Sequence, residues 1–103
     1  MEKNCFVLSG RVLKIEALRH SPAGVPHQRF TLEHRSKQFE AGLACEARCH
    51  MMVQISGEAL QRNVKELKQG EFLVVTGFIG RVSYQAEPFR ILLHAQKIER
   101  GVS

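Results

Sequence analysis

The chain has 103 residues, with 15 Lys+Arg against 10 Asp+Glu for a net charge of +5, 44% hydrophobic and 24% charged. This is a folded composition with room for one domain, residues 1–103, and no apolar run approaches the roughly 20 residues of a membrane-spanning helix. Every acidic residue is Glu, which excludes an Asp-based calcium loop, an Asp metal cluster for phosphoryl transfer and an Asp-bearing Ser-His triad.

Residues 5–19 read as one long strand with Gly10 at a bend or bulge. The stretch from Ser21 to Pro26, with two prolines and a glycine, is a turn. Residues 27–37 alternate, placing Phe30, Leu32 and His34 on one face and Arg29, Thr31, Glu33 and Arg35 on the other. Phe39 to Gly42 reads as a connection. In residues 43–55, Leu43, Cys45, Ala47, Cys49, Met51, Val53 and Ile55 form an apolar face opposite Ala44, Glu46, Arg48, His50, Met52 and Gln54. Residues 57–68 predict a helix capped by Ser56, with Leu60, Val64 and Leu67 facing the core. Strands over 71–82 and 88–98 follow, joined by a short polar loop, Ser83 to Glu87, that carries Tyr84.

Three strands, a helix and two strands, with glycines where strands must bend, predict an all-β protein: a five-stranded OB-fold barrel with one short helix between strands three and four. A small open antiparallel sheet covered by the helix has the same element order. A core of this size favours a homodimer, and the first strand, with Phe6 to Leu8 and Val12 to Ile15, is the expected interface. The N-terminus lacks an apolar signal segment and the thiol count is odd, which together predict a cytoplasmic protein.

Cys45, Cys49 and His50 form the one metal-like spacing. On a strand, residues four apart lie about 13 Å from one another, too far to share a zinc. The two cysteines are therefore expected as small core residues, with no metal and no cofactor. No histidine has ligand spacing or a local nucleophile partner, so an enzyme is not expected. The charge points elsewhere: residues 1–37 hold seven basic groups against three acidic ones, an electrostatic footprint for nucleic acid. Arg29 and Arg35 share a strand face, Arg48 and His50 occupy the like face of the next strand, and guanidiniums there can pair with phosphates and stack on bases. With no Trp and one Tyr, Tyr84 and Phe39 are the expected stacking residues. A merely solvated polar sheet face accounts for the same pattern.

The run from Ser21 to Ser36, SPAGVPHQRFTLEHRS, with Val7–Val12, Gly77–Ile79 and Leu92–Ala95 in register around it, resembles the primosomal replication protein N family, bacterial replication-restart relatives of single-stranded DNA-binding protein. The resemblance spans nearly the whole chain. It implies a homodimer of OB folds without enzymatic activity. Such a protein binds single-stranded DNA, stabilises the restart helicase on it and helps hand over to the partner that recruits the helicase loader. The family's basic positions match Arg19, Arg35 and Arg90, which with Arg29, Arg48 and Tyr84 make up the expected DNA-binding set. Where some relatives carry lysines this chain has Ser83 and Gln85, and where some carry aromatics it has Leu43 and Arg48; both departures imply weaker DNA binding. Two other functions fit the residues: a generic OB-fold binder of RNA or single strands, and a protein-interaction adaptor with little DNA affinity.

Overall fold

The structure, a computed structural model, describes residues 2–82 and 90–101. Its elements are β1 (Phe6–Ile15), β2 (Arg19–His20), β3 (Pro26–Glu40), β4 (Leu43–Ser56), α1 (Glu58–Asn63), β5 (Phe72–Arg81) and β6 (Ile91–Arg100). The sheet runs β1-β5-β6-β4-β3-β2, and β1 also pairs with β3, which closes a five-stranded barrel with β2 as a short appendage. This is the expected OB-type barrel rather than an open sheet. Among the described residues its one parallel contact joins β4 to β6, Val53 to Leu93 and Gln54 to His94.

Closure depends on β1 serving two neighbours. Its first half, Phe6–Arg11, pairs with β5, and its second half, from Arg11 to Ile15, pairs with β3. The switch passes over Gly10, where a Cβ would lie 2.3 Å from the Glu33 carbonyl oxygen. Only glycine allows the strands to cross that closely. The expected strand over 5–19 is therefore interrupted: β1 ends at Ile15, and Arg19–His20 turns back onto His27 and Pro26.

Phe30, Leu32, Val53, Ile55, Val75 and Leu93 are completely buried. Each contributes about 1.5–3 kcal/mol by leaving water. The inward parity on β3 and β4 is the one the alternation predicts, but only over the inner half of the pair. Beyond it the two strands leave the barrel as a hairpin, paired from His27–Ser56 out to Glu40–Leu43. Cys45 and Cys49, expected in the core, are exposed, and Leu43 is 72% exposed. They have the right parity but, among the described residues, no second layer to pack against. The radius of gyration, 14.6 Å, exceeds the ~13 Å of a compact chain this long because of this projection. Phe39 and Glu40 are paired strand residues rather than a connection; the reversal takes only Ala41 and Gly42, with φ of 52° and 79°. Positive φ at both central residues matches the twist of the flanking strands.

α1 is shorter than predicted, six residues, and its N-cap is Gly57, with φ 97°, not Ser56. The Ser56 hydroxyl is engaged by His27 Nδ1 at 2.8 Å and Gln54 Nε2 at 3.2 Å. Val64 is nevertheless buried and Leu60 and Leu67 pack on the core, as their spacing predicts, because a turn continues the inward face past Asn63. Arg100 secures this segment to β6. It donates to the Lys65 carbonyl at 2.8 Å and through Nη2 to Glu71 Oε1 at 2.9 Å. The guanidinium holds the Glu71 carboxyl below its ordinary pKa, and the carboxylate raises that of Arg100.

Candidate nucleic-acid interface

Strand parity gathers the candidate site. Inward Phe30 and Leu32 force Arg29, Thr31, Glu33, Arg35, Lys37 and Phe39 of β3 outward. Their partners on β4, Gln54, Met52, His50, Arg48, Glu46 and Ala44, face the same way. The result is a strip about 33 Å long from Arg29 to Phe39, at ~3.3 Å per residue. It starts on the barrel wall and runs to the hairpin tip, where Phe39 is 72% exposed.

The cations along it are not equivalent. Arg29 is half-buried and held: Nε donates to Gln54 Oε1 at 3.1 Å and Nη2 to the Val82 carbonyl at 3.4 Å. Val82 N–H in turn donates to the Arg90 carbonyl at 3.0 Å, which brings the exposed start of β6 beside Arg29. Arg19, exposed on β2, joins Arg29, His27 and Gln54 in lining a cleft of about 250 Å³. Arg35 and Arg48 lie directly opposite one another on the hairpin and share Glu46, at 3.9 Å and 3.4 Å from their Nε atoms. Arg35 also borders a depression of about 410 Å³ with Gly10, Arg11, Glu33 and Phe72. His50 is 3.3 Å from Glu33. The hairpin base is fixed to the barrel by His34, whose Nδ1 donates to the Ser9 carbonyl at 2.7 Å.

Around the barrel the strip continues across strands. Arg29 pairs with Gln54, Gln54 with His94, and His94 with Phe78. The Phe78 and His94 rings stack at 4.8 Å, 10° from parallel. Burial, and then the neighbouring Arg29 charge, lower the His94 pKa from its ordinary value, so the ring is neutral at neutral pH. Among the described residues no three His, Cys, Asp or Glu side chains converge as a metal set, and no helix is long and apolar enough to cross a membrane.

A family described as "Another single-strand binding protein family" matches residues 4–97. The replication restart protein PriB of Photorhabdus laumondii is 44% identical over 96% of this chain and 94% of its own length, and that of Proteus mirabilis is 41% identical over the same shares. The chain belongs to the PriB replication restart family. Among solved structures, PriB from Ralstonia solanacearum superposes with a TM-score of 0.82 at 21% identity, covering 96% of this chain and 98% of that one. The small single-stranded DNA-binding protein of Streptomyces coelicolor superposes at 0.75, with 19% identity over 99% and 95% of the two chains. Both share its fold.

In this chain of the PriB family, Arg29, Arg35 and Arg48 lie on one strip, with Arg19 at its barrel end and Arg90 at the adjoining rim. Tyr84, Ser83 and Gln85 lie outside the described residues. Sequence reading missed Lys37, one pair beyond Arg35 on the same face, and the Phe78–His94 stack. Phe78 is 38% exposed rather than core. Its parity was legible: Leu73, Val75 and Gly77 point inward, so Phe78 points out. The partner ring could be supplied only by the β5–β6 pairing.

Proposed function

We propose that this PriB-family protein is a non-enzymatic, cytoplasmic component of the replication-restart primosome that binds single-stranded DNA along the strip from Arg19 and Arg29 to the hairpin. On DNA it stabilises the restart helicase and promotes recruitment of the helicase-loading partner. The observation that carries this reading is the continuous outward strip, with Arg29, Arg35, Lys37 and Arg48 against Glu33 and Glu46, in a chain of this family. Phosphates meet the guanidiniums first, and bases stack second, on Phe39 and Tyr84. Arg90 extends the path past the rim.

The protein acts as a homodimer through the first half of β1. Phe6 is 49% and Val7 65% exposed, whereas Val12, also expected there, is core. Fluorescence anisotropy with a labelled dT oligomer over a salt series tests the DNA path: Arg35→Ala lowers the salt slope by about 0.7 for each phosphate the side chain neutralises. An unchanged slope and affinity in a folded variant would remove Arg35 from the path. Helicase stabilisation is tested by unwinding of a forked DNA with and without the protein, and dimerisation by sedimentation of wild type and Val7→Lys.

A second reading has an observation in its favour. The opposite face of the hairpin, Leu43, Cys45 and Cys49, is exposed and apolar, a surface suited to a protein partner. An adaptor using it would bind the helicase normally while scarcely retaining DNA.

A further inference from the structure

We infer that the outward face of Phe78, backed by His94, is a nucleobase-stacking subsite on the barrel wall, separate from the hairpin. The inference rests on the single-strand reading above and extends it to a site where a base, not a phosphate, is recognised.

Phe78 sits on β5 with 38% of its surface exposed, although it is a large apolar residue on a strand whose other face is core. One ring face is covered by the His94 imidazole at 4.8 Å and 10°. The exposure of Phe78 therefore comes from ring surface that His94 leaves uncovered, the opposite face and the outer edge, where a flat ring can pack. Stacking extends through parallel π-faces at such spacing. A base placed on Phe78 would complete a three-ring stack whose inner two members are already ordered, so little side-chain entropy is lost on binding.

His94 is suited to that backing role. Neither ring nitrogen has a hydrogen-bond partner among the described residues. Gly80 lies beneath its edge, and a Cβ there would approach Nε2 to 3.1 Å. The glycine leaves the imidazole room beside Phe78. Burial and Arg29 hold the imidazole neutral, which keeps the stack apolar. On the far side, Asn4 is bonded to both backbone groups of Ile79, Nδ2 to the carbonyl at 2.7 Å and Oδ1 from the N–H at 2.9 Å. That clamp holds the strand edge next to Phe78 in place.

The subsite also lies on the DNA path. From Phe78 through His94 and Gln54 to Arg29 is three strand spacings, about 14 Å at ~4.8 Å each. The open face is the one away from His94, so a base there lies somewhat farther than this from Arg29, and one strand places the base on Phe78 while a phosphate a few nucleotides along meets the fixed guanidinium. Stacking makes no use of base edges, so the subsite accepts any base.

The test uses the absence of tryptophan from the chain. Phe78→Trp supplies a single indole whose emission is quenched when a base stacks on it. It is titrated with a dT oligomer and with an abasic oligomer of equal length, while anisotropy follows binding. Quenching by dT at the concentrations that bind, without quenching by the bound abasic strand, is expected. Phe78→Leu should lose about tenfold in dT affinity with an unchanged salt slope and bind the abasic strand like wild type; Phe78→Tyr should keep wild-type affinity. Binding of dT without quenching, or wild-type dT affinity in a folded Phe78→Leu, overturns the subsite and leaves the hairpin path standing. A wild-type protein that binds neither oligomer overturns both.

Discussion

Replacing Glu46 by Gln should strengthen single-strand binding, although it removes two ion pairs. The carboxylate lies opposite Lys37 and within 3.9 Å and 3.4 Å of the Arg35 and Arg48 Nε atoms, so one anion occupies the cations at the middle of the hairpin. Its side chain is 55% exposed and those of the arginines about 60%. Pairs this exposed contribute at most about 1 kcal/mol, so the substitution should leave the folded state intact. It raises the formal charge of the strip from +2, for four cations against two carboxylates, to +3. A single carboxylate withholds about one of these cations from DNA, so its removal adds about one phosphate contact and steepens the slope of log affinity against log salt by about 0.7. Between about 50 and 200 mM salt, the gain over wild type should therefore shrink about 2.6-fold. Anisotropy of a labelled dT oligomer at three salt concentrations reads both quantities, with circular dichroism checking the fold. A folded Glu46→Gln variant with wild-type affinity and slope would show that the hairpin is not on the DNA path. Weaker binding would show that the carboxylate holds the arginines in their binding geometry. Either result refutes the reasoning.

Gly77→Ala should cost about 3 kcal/mol, read as a lowered midpoint in denaturant, because its Cβ would fall 1.9 Å from the His94 carbonyl oxygen and must force β5 from β6; unchanged stability would contradict the strand pairing. Glu71→Gln should remove part of the acid sensitivity of folding. The Glu71 pKa is lowered in the folded state by the Arg100 hydrogen bond, so its stabilisation is full above the ordinary carboxylate range near 4.5 and is lost as pH falls through the lowered value. The variant should match wild type most closely at low pH and fall below it near neutrality, by about 1 kcal/mol for a partly exposed pair. A constant difference at every pH would refute that assignment.

Much of this protein was legible in its residues. Alternation with period two placed Arg29 and Arg35 outward opposite Phe30 and Leu32, because a strand buried on one face leaves its residues no other choice. Glycines at 10 and 77 marked bends because a side chain cannot enter a strand crossing, and the 2.3 Å and 1.9 Å approaches show how tight those crossings are. Leu60, Val64 and Leu67 marked an inward face even where the helix stops early. Tertiary structure decided the rest. The apolar parity of Leu43, Cys45 and Cys49 is the same as that of Val53 and Ile55, yet only the second pair is buried. Parity sets which way a side chain points, and burial also requires another layer to point at. Beyond the barrel the described residues provide no such layer, so the same pattern yields core at one end of β4 and bare surface at the other. Likewise Phe78 and His94 are 16 positions apart in the chain, and each alone looks like an ordinary strand residue. They become a stacked pair only because the antiparallel pairing of β5 with β6 sets Phe78 directly opposite His94, a register fixed by the whole ladder and not by either residue alone.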